Sequence, residues 1–213
     1  MGVDHGFMSY YTCPYIQSQE RLHLMATKRD MLIETALRLF LRDGYHATGI
    51  DRILGEAGVA KMTLYNHFKS KDALIVAALG MRDERWRQTF RATVEGMADT
   101  PGGQLLAMFD ALGEWFVEPT FTGCAFVKAA NEFSDPDHPV HAASAEHYRL
   151  LRVYIRDLAR DAGAGDPDEL ADTWLVLIAG AITHAQVTGQ KDIAQTARRA
   201  GEGLLEAMVG ATG

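Results

Sequence analysis

The sequence predicts an all-α fold, and three observations support this prediction. Apolar residues recur at helical spacing through most of the 213 residues. No stretch alternates between polar and apolar residues as a half-buried strand does. The interruptions coincide with turn-forming runs such as "DTPGG" and "SDPDHP". Because 47% of the residues are hydrophobic, the chain has enough apolar material for a buried core.

The first part of the chain is predicted to contain three short helices followed by a long one. The first helix ends at Gly44, and Thr48 is predicted as the N-cap of the second. Gly58 separates the second helix from a third, which ends near His67. Ser70 then caps a long helix that runs to about residue 97. Short helices joined by a glycine turn are typical of a helix-turn-helix unit.

The rest of the chain is predicted to form a second, larger helical region. Its helical patterns cover residues 103–117, 121–134, 139–162, 167–188 and 191–209. The division that follows is a flexible arm over residues 1–24, a helix-turn-helix head over 25–72, and a larger helical domain over 73–213.

Charge is unevenly distributed along the chain. The whole sequence carries a formal charge of −7, whereas residues 27–75 hold eight Lys and Arg residues against six acids. This +2 segment on an acidic body suggests a local nucleic-acid footprint and argues against nucleic-acid binding over the whole surface. The two cysteines form no disulfide framework, and we find no signal peptide or apolar run of membrane-spanning length. We therefore expect a cytoplasmic protein that does not enter a membrane and uses no cofactor.

The third helix carries the side chains expected to contact DNA. Lys61, Thr63 and Tyr65 are predicted to contact phosphates, and Asn66 or Met62 to contact base edges. The predicted set is completed by His67, by Thr48 at the start of the second helix and by Lys71 at the start of the long helix.

The segment "TGIDRILGEAGVAKMTLYNHFKSKDAL" resembles the N-terminal signature of TetR-type (TetR/AcrR) transcriptional regulators. The resemblance covers about residues 28–80, and "GCAFVKAANEFSDPDHPVH" is similar to a C-terminal domain of the same family. Met62 stands where many members have glycine, and Ala60, Asn66 and His67 also depart from the common pattern. These differences bear on which operator is bound. The resemblance implies a homodimeric repressor that a small molecule releases from a palindromic operator in double-stranded DNA.

A ligand pocket is expected among the aromatic and methionine residues of the second domain. Side chains that combine apolar bulk with a polar atom are favoured, together with Glu132 as a polar anchor. The predicted lining is Trp86, Phe90, Met108, Trp115, Phe126, Glu132, Tyr148 and His184. Most aromatic residues at helical spacing are ordinary core residues, and that alternative stays open for each.

The segment "WLVLIAGAITHAQ" is apolar nearly all round, which predicts a helix buried on more than one side. With the last helix it is expected to form an intermolecular four-helix bundle; the alternative is the centre of a monomeric core. The predicted dimer residues are Trp174, Ile178, Ala181, Gly201, Leu204 and Leu205.

Two other functions are considered. An all-α enzyme lacks support, since no nucleophile elbow, phosphate-binding glycine loop or HExxH motif is present. A ligand-independent architectural DNA-binding protein on the same scaffold stays an alternative. His138, His141 and His147 are close enough in sequence to form a metal site, but a polar helix start after a Pro-rich turn is the favoured explanation, and no metal is expected.

Overall fold

The computed structural model describes residues 27–209 of the chain. Within this range every regular element is an α-helix, which confirms the predicted all-α class. The helices are α1 (Lys28–Asp43), α2 (Ile50–Ala57), α3 (Lys61–His67), α4 (Lys71–Met97), α5 (Pro101–Val117), α6 (Ala125–Glu132), α7 (Pro139–Asp161), α8 (Pro167–Thr188) and α9 (Ile193–Val209). The predicted arm over residues 1–24 lies outside the described residues.

Local sequence signals explain where the head helices begin and end. Thr27 and Asp30 form a capping box at the start of α1, and Gly44 ends that helix with its N–H on Phe40 O. Gly58 has φ +65°, so the turn between α2 and α3 uses a conformation that glycine adopts readily. Ser70 Oγ accepts the N–H of Ala73 and caps α4 as predicted.

The predicted role of Thr48 at the start of α2 is wrong. Gly49 is the N-cap residue of α2, and no side chain caps this helix. Thr48 is fully buried, and its hydroxyl donates to Gly44 O at 2.7 Å. The short loop after α1 turns this hydroxyl inward, where it holds the loop closed instead of facing a phosphate.

The described residues pack into two hydrophobic clusters. The first joins α1, α2, α3 and the start of α4, with Leu64 and Phe68 anchoring α3. The second lies among α5, α7, α8, α9 and the far part of α4, around Phe109 and Trp174. Because α4 runs without interruption from one cluster to the other, the predicted domain boundary near residue 72 falls within the first turn of a continuous helix.

Helix α6 packs against α7, but its buried residues belong to the head cluster and not to the C-terminal cluster. Its residues Ala125, Phe126 and Ala129 belong to the same cluster as the head core, together with Phe133. Cys124, which precedes α6, contacts both clusters. The short helix therefore lies between the two parts of the chain.

Helix α8 is long and apolar enough to cross a membrane by length and composition. In the described structure it packs on α7 and α9, and Trp174, Ile178 and Ala185 on it are buried. Its apolar character is therefore used in the core of the C-terminal region.

Candidate DNA-binding face and ligand cavity

Helix α3 presents a polar face away from the head core. Leu64 is fully buried on its inner side, while Met62 is 71% exposed and Tyr65 is 50% exposed. Of the other residues predicted to contact DNA, Lys61, Asn66 and His67 are exposed, and Thr63 is half-buried. The helix is thus oriented so that these side chains share an accessible surface.

Cations of the head differ in how far they are neutralised. The guanidinium groups of Arg38, Arg42 and Arg52 share the carboxylates of Asp43 and Glu56 in a network of ion pairs. The Lys61 ammonium has a looser contact, 3.6 Å from an exposed Asp51 carboxylate. Exposed pairs of this kind contribute little energy, so Lys61 stays available to a phosphate.

Lys71 is tied into the fold. Its ammonium donates to His46 O at 3.1 Å, and burial lowers its pKa against the opposing effect of Asp72 and Glu132. An ammonium has three donors, so this bond leaves two for a phosphate. The first turns of α2 and α3 also lack side-chain caps, which leaves backbone N–H groups at the head surface.

A largely apolar cavity lies where α4, α5, α7 and α8 meet the start of α6. The whole concavity measures about 460 Å³ with its open mouth, and it leaves about 30 Å³ for the centres of water molecules. Its lining is Arg82, Trp86, Trp115, Cys124, Ala125, Phe126, His147, Tyr148, Leu151, Leu175, Ile178, Ala179 and Ile182. A second concavity between α6 and α7 measures about 470 Å³ with its open mouth, leaves about 230 Å³ for the centres of water molecules, and shares Phe126 and Tyr148 with the first.

Four of the eight predicted pocket residues line this cavity: Trp86, Trp115, Phe126 and Tyr148. Phe90 stacks on Trp86 with ring centroids 4.6 Å apart but is not part of the lining. Met108 is fully buried in the second hydrophobic cluster. These two residues support the cavity wall or the core.

The predictions for Glu132 and His184 are wrong. The Glu132 carboxylate accepts the backbone N–H groups of Tyr45 and His46, at 2.9 Å and 2.6 Å, on the head side of α6. His184 is exposed, and its Nε2 lies 3.1 Å from Gln190 Oε1. Both residues are polar within a largely apolar helical pattern, and in each case the polar group bonds to a residue of a nearby loop.

Nine of the thirteen lining residues are outside the predicted pocket set, and Arg82 and His147 are the two of them with basic side chains. Arg82 lies four residues before Trp86 on α4, and this spacing places both on one face of the helix. His147 is 5% exposed, stacks on Phe126 at 3.7 Å, and has its Nδ1 at 2.6 Å from Asp83 Oδ1. Burial alone raises the pKa of Asp83, but the hydrogen bonds from His147 and Arg87 hold it below its usual value.

The three neighbouring histidines occupy separate environments. His138 caps α7 through its Nδ1, and its Nε2 is 3.5 Å from Asp72. His141 Nδ1 is 2.8 Å from Phe133 O, while His147 is bonded to Asp83. Among the described residues, no three His, Cys, Asp or Glu side chains come together as metal ligands.

Most of the predicted dimer residues point into their own chain. Trp174 is fully buried with its Nε1 donating to Leu105 O, and Gly201 packs against Phe109 and Trp174. Ile178 and Ala181 are buried too, whereas Leu204 and Leu205 are half-buried. The opposite faces are the exposed ones, with Val176, Gly180, Thr183 and Val187 on α8 and Thr196, Ala200, Gly203 and Ala207 on α9.

A helix-turn-helix head on a helical body with an apolar cavity defines a class of DNA-binding regulators. The sequence profile described as "Bacterial regulatory proteins, tetR family" matches residues 32–78, and that of a "Tetracyclin repressor-like, C-terminal domain" matches residues 101–201. The chain belongs to the TetR family of transcriptional regulators.

Individual relatives agree with this assignment. The crystal structure of a TetR-family transcriptional regulator from Streptomyces coelicolor is 34% identical, covers 85% of this chain and 96% of its own, and superposes with a TM-score of 0.78. The transcriptional regulator YjdC of Escherichia coli is 23% identical over 84% of this chain and 93% of its own. The transcriptional repressor NemR of Escherichia coli is 26% identical over 78% of this chain and 87% of its own.

Proposed function

We propose that this DNA-binding regulator is a homodimeric, cytoplasmic repressor that leaves a palindromic operator when a small molecule occupies the cavity. The observation that carries this proposal is the position of α6. Its first residues, Ala125 and Phe126, line the cavity, and its last residue, Glu132, holds the head loop at Tyr45 and His46. This eight-residue helix, about two turns long, therefore connects the cavity with the head.

The DNA contact is assigned to the exposed face of α3. A recognition helix enters the major groove with side chains that reach phosphates and base edges. Tyr65, Lys61 and Asn66 have this accessibility, and the uncapped first turns of α2 and α3 add backbone donors for phosphates.

The second copy of the chain is assigned to the exposed faces of α8 and α9. These helices pack on each other, and small or apolar residues on their outer sides allow another helix pair to approach closely. Val176 and Val187 are 71% and 77% exposed at this surface, so it presents apolar side chains to a partner. A dimer built here carries two heads, as two half-sites about one DNA turn apart require.

Ligand response is supported by the contacts of α6 on both sides. Beyond Glu132, the Tyr45 hydroxyl donates to Ala125 O at 3.0 Å, so the head loop touches both ends of α6. A ligand that displaces Phe126 must move α6 or its contacts to the head. Such a ligand shifts the head equilibrium only by the difference in its affinity for the two arrangements.

The test begins with selection of bound duplexes from a random DNA library. A repressor enriches one inverted repeat and holds it tightly near physiological salt. The selected duplex complex is then screened with small molecules for loss of fluorescence anisotropy. An architectural protein instead enriches no sequence and binds all duplexes with a steep dependence on salt; that result would contradict the proposal.

A further inference from the structure

Arg82 is a charged side chain at the cavity that has no charged partner among the described residues. Its neighbours along α4 are each engaged. Arg85 pairs with Glu34, Arg87 pairs with Asp83 at 2.8 Å, and the Arg91 guanidinium lies over the Tyr154 ring. No hydrogen bond or ion pair joins Arg82 to the rest of residues 27–209, although it is half-buried in the cavity wall.

The other lining residues offer Arg82 no negative charge. No Asp or Glu is among the described residues that line the cavity. Burial raises the pKa of the Cys124 thiol, against the opposing influence of the Arg82 charge, so the thiol stays protonated at neutral pH. A partly buried cation without a counter-charge is unfavourable and gains from an anionic ligand.

The rest of the cavity matches a flat apolar body. Trp86, Trp115, Phe126 and Tyr148 supply aromatic walls. The His147 ring is stacked on Phe126, and its Nδ1–H donates to the Asp83 carboxylate, which fixes the ring as a further wall.

We propose that the effector is an apolar aromatic carboxylate whose anionic group forms a bidentate pair with the Arg82 guanidinium. This inference rests on the proposed ligand-responsive function and names the chemical class of the ligand. Guanidinium and carboxylate groups match in planar geometry, and a pair formed inside an apolar cavity is stronger than one in water.

Entry of such a molecule requires the walls to move. The cavity leaves only about 30 Å³ for the centres of water molecules, and the second concavity leaves about 230 Å³. Phe126 and Tyr148 line both spaces. Displacement of these two rings joins the spaces. Because Phe126 is on α6, displacement of its ring by the aromatic body acts on α6 directly.

The experiment compares two probes of nearly equal shape, 2-naphthoate and the neutral 2-naphthamide. Isothermal titration calorimetry measures their binding to the full chain and to the Arg82→Met and Arg82→Lys variants. The acid is expected to bind the parent about tenfold or more tighter than the amide, as a charge-assisted bond implies. The preference is expected to disappear in Arg82→Met and to persist in weakened form in Arg82→Lys.

Equal affinity of the two probes for the parent would overturn the inference, as would a failure of 2-naphthoate to bind the parent. An undiminished preference for the acid in a folded Arg82→Met variant would also overturn it. The same titrations with the selected DNA present separate the two proposals. If the acid binds selectively but does not release DNA, the ligand-responsive function is contradicted and the carboxylate assignment is not. If the amide releases DNA as readily as the acid does, the carboxylate assignment is contradicted and the ligand-responsive function is not.

Discussion

The Glu132 carboxylate accepts the backbone N–H of Tyr45 at 2.9 Å, across 87 positions of sequence. Its second oxygen accepts the N–H of His46, and the His46 ring nitrogen Nε2 lies 2.8 Å from the backbone oxygen of Glu132. One side chain at the end of α6 thus satisfies two amides of the head loop. The loop geometry and the position of α6 depend on each other.

Glu132→Gln tests this dependence. A side-chain amide has one acceptor oxygen, so its NH₂ group faces one of the two loop N–H groups and leaves it unpaired. We expect the free energy of unfolding to fall by about 1–3 kcal/mol. Chemical denaturation measures this change, with Glu84→Gln on the exposed surface of α4 as the control that should change little. A Glu132 variant as stable as the parent would remove the basis for the connection.

The Asp83–His147 pair should make the free energy of unfolding depend on pH in the acidic range. The pKa of Asp83 is lowered in the folded chain, so its ionised form stabilises the fold above the usual pKa of about 4. That contribution is lost as the pH falls through the lower folded pKa. We expect Asp83→Asn to lower the free energy of unfolding by about 1–3 kcal/mol at pH 7. The difference from the parent should shrink below about pH 4, whereas exposed Asp99→Asn should show little difference throughout.

Gly201 and Gly96 provide a matched pair for the packing of α9. A Cβ atom at Gly201 would lie 2.8 Å from both Phe109 and Trp174, whereas one at Gly96 meets nothing within 4 Å. Gly201→Ala is expected to lower the free energy of unfolding by about 1–3 kcal/mol through overpacking. Gly96→Ala, at an exposed position in the last turn of α4, should raise it by at most about 0.5–1 kcal/mol. If Gly201→Ala is tolerated, Gly201 does not pack in its own chain as described.

Val176 tests the surface assigned to the second copy. Val176→Asp introduces a charge into an apolar contact between chains, so sedimentation should show a shift from dimer to monomer with little change in helical content. Val117→Asp, at a site of similar exposure at the end of α5, should leave the dimer intact. A Val176→Asp protein that sediments as the parent does would move the interface elsewhere.

Much of the fold follows from the sequence, since caps and breaks are local signals. Ser70, Gly44 and Asp166 end or begin helices as their chemistry predicts. The choice of face on α8 does not follow, because a helix that is apolar nearly all round gives no indication of which side meets its own core. Trp174 and Gly201 were therefore assigned to the wrong side. The pairing of Glu132 with the head loop also has no local signal, because the bonded residues are 86 and 87 positions apart in the sequence.

The position of Arg82 at the cavity follows only in part from the sequence. It shares a helix face with Trp86, yet a sequence does not reveal which arginines of α4 find a carboxylate. Arg85 and Arg87 do, through Glu34 on α1 and Asp83 one turn earlier, and Arg82 does not among the described residues. Only the packing of α4 against its neighbours distinguishes them.

We expect the exposed face of α3 to bind operator DNA. Fluorescence anisotropy of the selected inverted repeat tests it most directly, with Tyr65→Ala and Lys61→Ala compared with Arg160→Ala, which removes one exposed charge from the distant end of α7. We expect each α3 variant to weaken binding by about 1–3 kcal/mol with the dimer and melting temperature unchanged. Arg160→Ala should bind as the parent does. Parental affinity in both α3 variants would contradict the account.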